Sequence, residues 1–281
     1  MLTEEQIQSF KRDGFLNYGP VLTPEETADL REGLRRVMSG KSDAKPEANR
    51  NLLGEGSSQV VVQIVNIWEA EPAFRRHLSN EKIVRLAAQL MGADTVRVWH
   101  DQVQVKPSHI GGPTTWHQDH PYWPVIQPAD LVSAWVAIDD ATVENGCMWM
   151  VPGSHRWGPY NGGTIGTDPE TYAPQPKDLS IVPEGEKIEM VACPVPAGGV
   201  VFHHCLTWHG APPNYTSQGR PAIAVHYMPG WVRYEPEGRT HLVEKHIHVK
   251  PGEPLVGDHF PTVLEEGRIL DVKSAPAKED E

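Results

Sequence analysis

Residues 95–105 read TVRVWHDQVQV, a run in which apolar and polar side chains alternate. Alternation of this kind describes a strand with one face buried and one face open. The pattern continues downstream. LVSAWVAI at 131–138 is mostly apolar, and VVF at 200–202 and AIAVHYM at 222–228 follow. Short strands punctuated by Gly and Pro predict an antiparallel sandwich or barrel from residue 95 onward. Working outward, the first 40 residues are helical in pattern. Thr3 with Gln6 fits a capping box, Ile7 and Phe10 give an apolar face, and Gly14 is a stop. Thr23, Pro24 and Glu26 open a second helix lined by Leu30, Leu34 and Val37. A third begins near Ser79 or Asn80 and ends at Gly92. Between them, the polar stretch 40–58 reads as a loop and QVVVQIVNIW at 59–68 as a buried strand. Residues 153–186 have little periodicity, and a loop of that length suits a lid or a flexible segment. The fold class expected is α+β with a mainly β core and N-terminal packing helices. It forms one domain over residues 1–270, with 271–281 a disordered tail. No internal repeat is present.

Composition bounds the function. The chain has 281 residues and a formal net charge of −12, which argues against nucleic acid as a partner. No apolar run approaches the roughly 20 residues of a membrane span, and the first residues lack the apolar core of a signal peptide. Three cysteines, Cys147, Cys193 and Cys205, do not make a disulfide framework, so a cytoplasmic setting is expected. Beside those three stand 14 histidines. A bound metal would therefore be held by imidazole and carboxylate.

The densest chemistry is WHQDHPYW at 116–123. His117 and Asp119 are one residue apart, so on an extended strand both would leave the same face. His209, in FHHCLTWHGAPPN at 202–214, offers a third ligand. Two histidines and one carboxylate on one face of an octahedron form the facial triad of non-haem Fe(II) sites, with three positions open. His203 and His204 are alternative third ligands. A lone His-x-Asp also describes a surface histidine beside a solvated aspartate. Arg220 lies eleven residues past His209 and opens the strand RPAIAVHYM. On a strand adjacent to that of His209 it could clamp a carboxylate with two parallel hydrogen bonds. Neither a non-catalytic metal- or ligand-binding β-sandwich nor a Zn-dependent hydrolase needs such a clamp. His120 and His226 read as core histidines, and His241, His246, His248 and His259 as a solvated surface.

HQD at 117–119, LVSAWVAIDDATVENGCMWMVPGSH at 131–155 and WHGAPPNYTSQGRPAIAVHY at 208–227 closely resemble the phytanoyl-CoA dioxygenase (PhyH) family. The resemblance runs from the N-terminal helices to about Met228. It implies a double-stranded β-helix (jelly-roll, cupin-like) core and an Fe(II)- and 2-oxoglutarate-dependent oxygenase that consumes O2. It further implies that His117, Asp119 and His209 bind the iron and that Arg220 binds the distal carboxylate of 2-oxoglutarate. Trp135 matches the tryptophan that lines the cosubstrate pocket, and Gln102 a further contact. Gln63 stands where the family often has a lysine. The reaction implied is oxidation of 2-oxoglutarate to succinate and CO2 coupled to hydroxylation of a substrate. Related halogenases lack the carboxylate that Asp119 supplies, which favours hydroxylation here. The substrate expected is a small metabolite or natural-product intermediate. Lys11-Arg12, Arg35-Arg36 and Arg75-Arg76 read as solvated helix faces, and with the chain at −12 an acyl-CoA is not the substrate expected.

Overall fold

Helices form where the sequence supplies caps. Thr3 and Gln6 close a reciprocal capping box on helix Glu4–Asp13, which Gly14 ends at φ 80°. Thr23 and Glu26 repeat the box on Pro24–Met38, and Asn80 caps Glu81–Met91 through the Ile83 amide. The computed structural model describes residues 1–42, 44–160, 166–167, 172–175 and 181–276. Much of the 153–186 segment, read as a lid or flexible loop, lies outside the described residues, as does the tail beyond residue 276.

The 59–68 run departs from the single strand expected. Only Val62–Val65 is extended. Asn66 takes a left-handed φ of 51°, which breaks the ladder, and helices Ile67–Ala70 and Pro72–Leu78 follow. Ile67 and Trp68 are fully buried, as a buried strand would also have left them, so apolarity alone did not separate the two. The 40–58 loop also contains a strand, Ala48–Asn51, paired with Val62–Val65.

Two antiparallel sheets make a jelly-roll core. The larger runs Phe15–Pro20, Gly199–His204, Val132–Ala137, Arg220–Pro229, Thr95–Lys106. The last of these pairs at one end with Val62–Val65 and at the other with Thr262–Glu265. The smaller sheet runs Val191–Cys193, Met148–Met150, His209–Ala211, Thr114–His117. Directly paired residues share a face. Phe202 and Val225 both flank Ala134, and Val103 and Val136 both flank Ile223. These side chains join Ile83, Leu86 and Leu90 of the third long helix in one buried cluster. Each such burial contributes roughly 1.5–3 kcal/mol. The opposite face carries Ser133, Trp135, Gln102, Ala224 and His226. One side of the larger sheet is therefore core, and its chemistry is gathered on the other. In Thr95–Lys106 the valines change parity between 98 and 103. The pairing with Arg220–Pro229 shifts at that point, a bulge at Trp99 that keeps both halves apolar on the helix side.

Cys147, Cys193 and Cys205 are buried free thiols. Among the described residues no helix is long and apolar enough to cross a membrane.

Four imidazoles, two of them buried (His77, His100) and two half-buried (His204, His241), carry a stability consequence. Burial pushes His77 and His241 down to about 4, and His100 and His204 down to about 3. In the unfolded chain these groups protonate near 6.5. Between about pH 6.5 and 4 only the unfolded state takes up these protons, so stability present above 6.5 is lost as pH falls through that window. Burial also holds Asp101 well above its ordinary value and raises Glu69, which act in the opposite sense, but as two groups against four. The His77 displacement alone corresponds to about 3 kcal/mol. The melting temperature is expected to fall by roughly 10 °C between pH 7 and pH 5, read by differential scanning fluorimetry. A flat profile would count against neutral buried imidazoles.

Candidate active site

His117 ends the strand Thr114–His117, and His209 opens His209–Ala211; the two are direct cross-strand partners. Their rings lie 4.2 Å apart. Asp119 joins them by a route the spacing did not predict. It is not on an extended strand but helical, at φ −71° and ψ −49°, heading the turn His120–Tyr122. That turn, with Pro121 as its second residue, follows directly, and the carboxylate faces both histidines. Asp119 Oδ1 is 3.7 Å from His117 Nε2 and 3.6 Å from His209 Nε2. The ligand atoms of all three residues lie within 4.8 Å of one another, the one such group among the described residues.

Neighbouring atoms fix how each of these side chains presents itself. His117 Nδ1 donates to the Thr115 carbonyl at 2.8 Å, and His209 Nδ1 to the Thr207 carbonyl at 2.9 Å. A carbonyl only accepts, so both Nδ1 atoms carry the proton and both Nε2 lone pairs face Asp119 Oδ1. His209 is pushed well below the ordinary imidazole value by burial, then by His117 and His203, and so is neutral. Burial alone would raise the Asp119 carboxyl. The hydrogen bonds that it accepts favour the charged form, and the group is held well below the usual carboxylate range. Asp119 Oδ2 is already taken, by the Ser133 hydroxyl and His203 Nε2, each at 3.0 Å. One oxygen is anchored and the other is left to face the histidines.

Beside the triad, a cavity is lined by Thr114, Trp135, Met148, Ala222, Ala224 and Arg220, among others. Arg220 is 1% exposed, and its Nε and Nη1 have no hydrogen-bond partner among the described residues. Burial lowers its pKa only to about 10, so it stays charged at neutral pH. Its Cζ stands 5.1 Å from the Trp135 ring centre. The cross-strand neighbour Lys106 is turned away, donating to the Gly112 and Ala211 carbonyls. An unpaired buried guanidinium facing a cavity is a site for an anion of matching fork geometry. Arg220 and His209 are not on adjacent strands, as the spacing suggested. They belong to different sheets, linked by a turn in which the Asn214 amide donates to the Lys106, Pro107 and Gln218 carbonyls.

Gln102 reaches the cavity wall, whereas Gln63 sits behind it, donating to Gln102 Oε1 at 2.5 Å. His204 turns away from the triad, its Nδ1 accepting from the Leu206 amide. His120 is a satisfied core histidine on the Ile126 carbonyl. His246 and His259 are not solvated. Their rings stack at 3.6 Å, and they pair with Glu47 and Glu69, carboxylates too distant in sequence to be noticed. Sequence reasoning missed Ser133, Thr114 and Gln118. Ser133 is two residues from Trp135, so strand parity places it on the same face. Thr114 puts a buried hydroxyl without a partner, among the described residues, into the cavity wall. Gln118 holds the Gly158 and Leu206 carbonyls and the Tyr160 amide beside the site.

Known proteins resemble this chain in sequence and fold. A family model described as phytanoyl-CoA dioxygenase (PhyH) matches residues 10–222. An ectoine dioxygenase of Bordetella parapertussis is 28% identical over 240 residues, covering 80% of this chain and 75% of that protein. Among solved structures, the non-haem α-ketoglutarate-dependent carbocyclase SnoK of nogalamycin biosynthesis matches with a TM-score of 0.74 at 30% identity. The match covers 93% of this chain and 96% of that one. The epimerase SnoN, solved in complex with Fe3+, α-ketoglutarate and nogalamycin RO, matches at 0.74 and 28%, over 92% and 97%.

Proposed function

The chain belongs to the phytanoyl-CoA dioxygenase (PhyH) family and is a non-haem Fe(II)- and 2-oxoglutarate-dependent dioxygenase; from that premise we propose that it hydroxylates a small-molecule metabolite or natural-product intermediate, releasing succinate and CO2. One observation carries the reading. A His117–Asp119–His209 donor set and an unpartnered buried guanidinium open on the same cavity. Two neutral imidazoles and a carboxylate, without thiolate, suit Fe(II). The unmatched charge of Arg220 suits the free carboxylate of 2-oxoglutarate.

When bound, Fe(II) and 2-oxoglutarate supply the activation of dioxygen coupled to decarboxylation of the cosubstrate. The residues of the chain hold and orient. His117 and His209 each present one Nε2 lone pair, and Asp119 presents one oxygen. Arg220 pairs with the distal carboxylate, the Thr114 hydroxyl offers it a second donor, and Trp135 supports the guanidinium from below. Gln102 has one amide hydrogen committed to His226 and one left for the cavity. Met148, Ala222 and Ala224 keep the pocket dry, which strengthens every charged contact inside it. A small substrate also fits the surface. Arg12, Arg35, Arg36 and Arg76, from the basic pairs a CoA ester would need, are ion-paired with Asp13, Glu32, Glu71 and Asp29.

Adding Fe(II) and 2-oxoglutarate to the apoprotein without oxygen is expected to give a weak visible band from keto-acid chelation. A substrate screen read out by succinate formation then identifies the molecule oxidised. Folded protein that binds Fe(II) but develops no band would favour a metal site without cosubstrate.

A further inference from the structure

Asp119 is held from behind by a row of hydrogen bonds that crosses the larger sheet one strand at a time. Arg50 Nε donates to Gln63 Oε1 at 2.9 Å, and Gln63 Nε2 to Gln102 Oε1 at 2.5 Å. Gln102 Nε2 lies 3.2 Å from His226 Nε2, His226 Nδ1 lies 2.7 Å from Ser133 Oγ, and Ser133 Oγ donates to Asp119 Oδ2 at 3.0 Å. Arg50 pairs with Gln63 in register, and Ser133 with both His226 and His203, so all share the face that looks onto the triad. Ser133, His203 and His226 are each 2% exposed or less, whereas Arg50 is on the surface.

The row has one possible direction. A guanidinium only donates, so Gln63 must meet Arg50 with its carbonyl and Gln102 with its amide nitrogen. Gln102 must then turn its own nitrogen to His226, whose Nε2 accepts and whose Nδ1 carries the proton. Ser133 accepts that proton and has its hydroxyl hydrogen free for the one partner that only accepts, the Asp119 carboxylate. A donor at one end and an acceptor at the other set every amide and ring between them. With His203 Nε2 as second donor, Oδ2 is occupied and Oδ1 alone turns to His117 and His209.

We propose that Arg50, Gln63, Gln102, His226 and Ser133 are positioning residues which, as one directional relay, fix Asp119 as a single-oxygen metal ligand. The proposal rests on reading His117, Asp119 and His209 as the metal site. It gives Gln63, which does not reach the cavity, an influence on the metal at a distance.

Reversal of the relay tests it, with Co(II) binding to the apoprotein followed by visible absorption. Gln63→Glu accepts from Arg50 and can no longer donate. Gln102 then flips, His226 carries its proton on Nε2, and the Ser133 hydroxyl turns to His226 Nδ1, leaving Asp119. Co(II) affinity should fall roughly tenfold, the scale typical of outer-sphere partners. The absorption should also weaken, because Oδ2, left with His203 as its one donor, is freer to approach the ion and raise the coordination number. Added negative charge by itself would strengthen cation binding, so the sign of the change separates the two causes. Ser133→Ala should show a similar loss, and Gln63→Glu should add nothing in that background. Melting temperatures within a few degrees of the parent show that each variant is folded. Unchanged or tighter Co(II) binding by Gln63→Glu, or full additivity with Ser133→Ala, overturns the relay. Failure of the parent to bind Co(II), or binding untouched by His117→Ala, overturns the metal reading and the relay with it.

Discussion

Replacing Asp119 by alanine is expected to abolish 2-oxoglutarate-dependent succinate formation. The change removes the one anionic ligand of the set and leaves two neutral imidazoles, whose hold on Fe(II) is much weaker. It also strands a donor aimed at Oδ2. His203 Nε2 would face an empty space, buried and unpaired, at a cost of roughly 1–3 kcal/mol, while the Ser133 hydroxyl keeps His226 Nδ1 as its partner. Loss of an outer partner alone typically costs 10–100-fold in affinity or activity, so loss of the ligand should exceed a hundredfold. The measurement is succinate formed per enzyme at saturating Fe(II) and 2-oxoglutarate, with calorimetry of Fe(II) binding beside it. An Asp119→Ala protein that keeps full turnover would remove Asp119 from the metal site. His117→Ala should behave alike, but with no stranded donors and a smaller effect on folding.

Substitution of Arg220 has two consequences of opposite sign. Arg220→Met removes the charge that faces the cavity, and the apparent KM for 2-oxoglutarate should rise. Truncating one member of a buried charge pair costs roughly 2–5 kcal/mol, on the order of thirtyfold to several thousandfold. kcat at saturating cosubstrate should change far less, because the residue binds rather than ligates the metal. Without cosubstrate, the same substitution should make the protein more stable. A guanidinium that is 1% exposed, with Nε and Nη1 unpartnered among the described residues, is a desolvated charge with no compensation. Methionine fills similar volume without that penalty, and each kcal/mol recovered should lift the melting temperature by about 2–4 °C. Paired measurements of KM and melting temperature decide the matter. A lower melting temperature with an unchanged KM would mean that Arg220 is structural.

Much of this was legible before any coordinates, and the limits have a physical origin. Caps, turns and side-chain parity are local. Thr3–Gln6, Thr23–Glu26 and the alternation after Thr95 therefore read correctly. The candidate ligands stood out because His-x-Asp followed by a later His and Arg is a combination few structures need. Illegible features depended on which strands become neighbours. Gln63 meets Gln102 across 39 residues, Ser133 meets His226 across 93, and Gln102 meets His226 across 124. Parity told which face each side chain takes, but no local pattern carries the strand order that joins them. Asn66 marks another limit. One left-handed residue turned a β-branched run into a helix, and asparagine tolerates that conformation without announcing it.

The triad also straddles a seam. His117 and His209 belong to the smaller sheet, while Asp119 is fastened through Ser133 and His203 to the larger one. An ion gripped by all three therefore works as a clasp between two halves of a sandwich. Prying the sheets apart would require first opening the clasp, so occupancy of the site and resistance to unfolding rise together. In a cell, such a protein would carry the iron supply in its own lifetime.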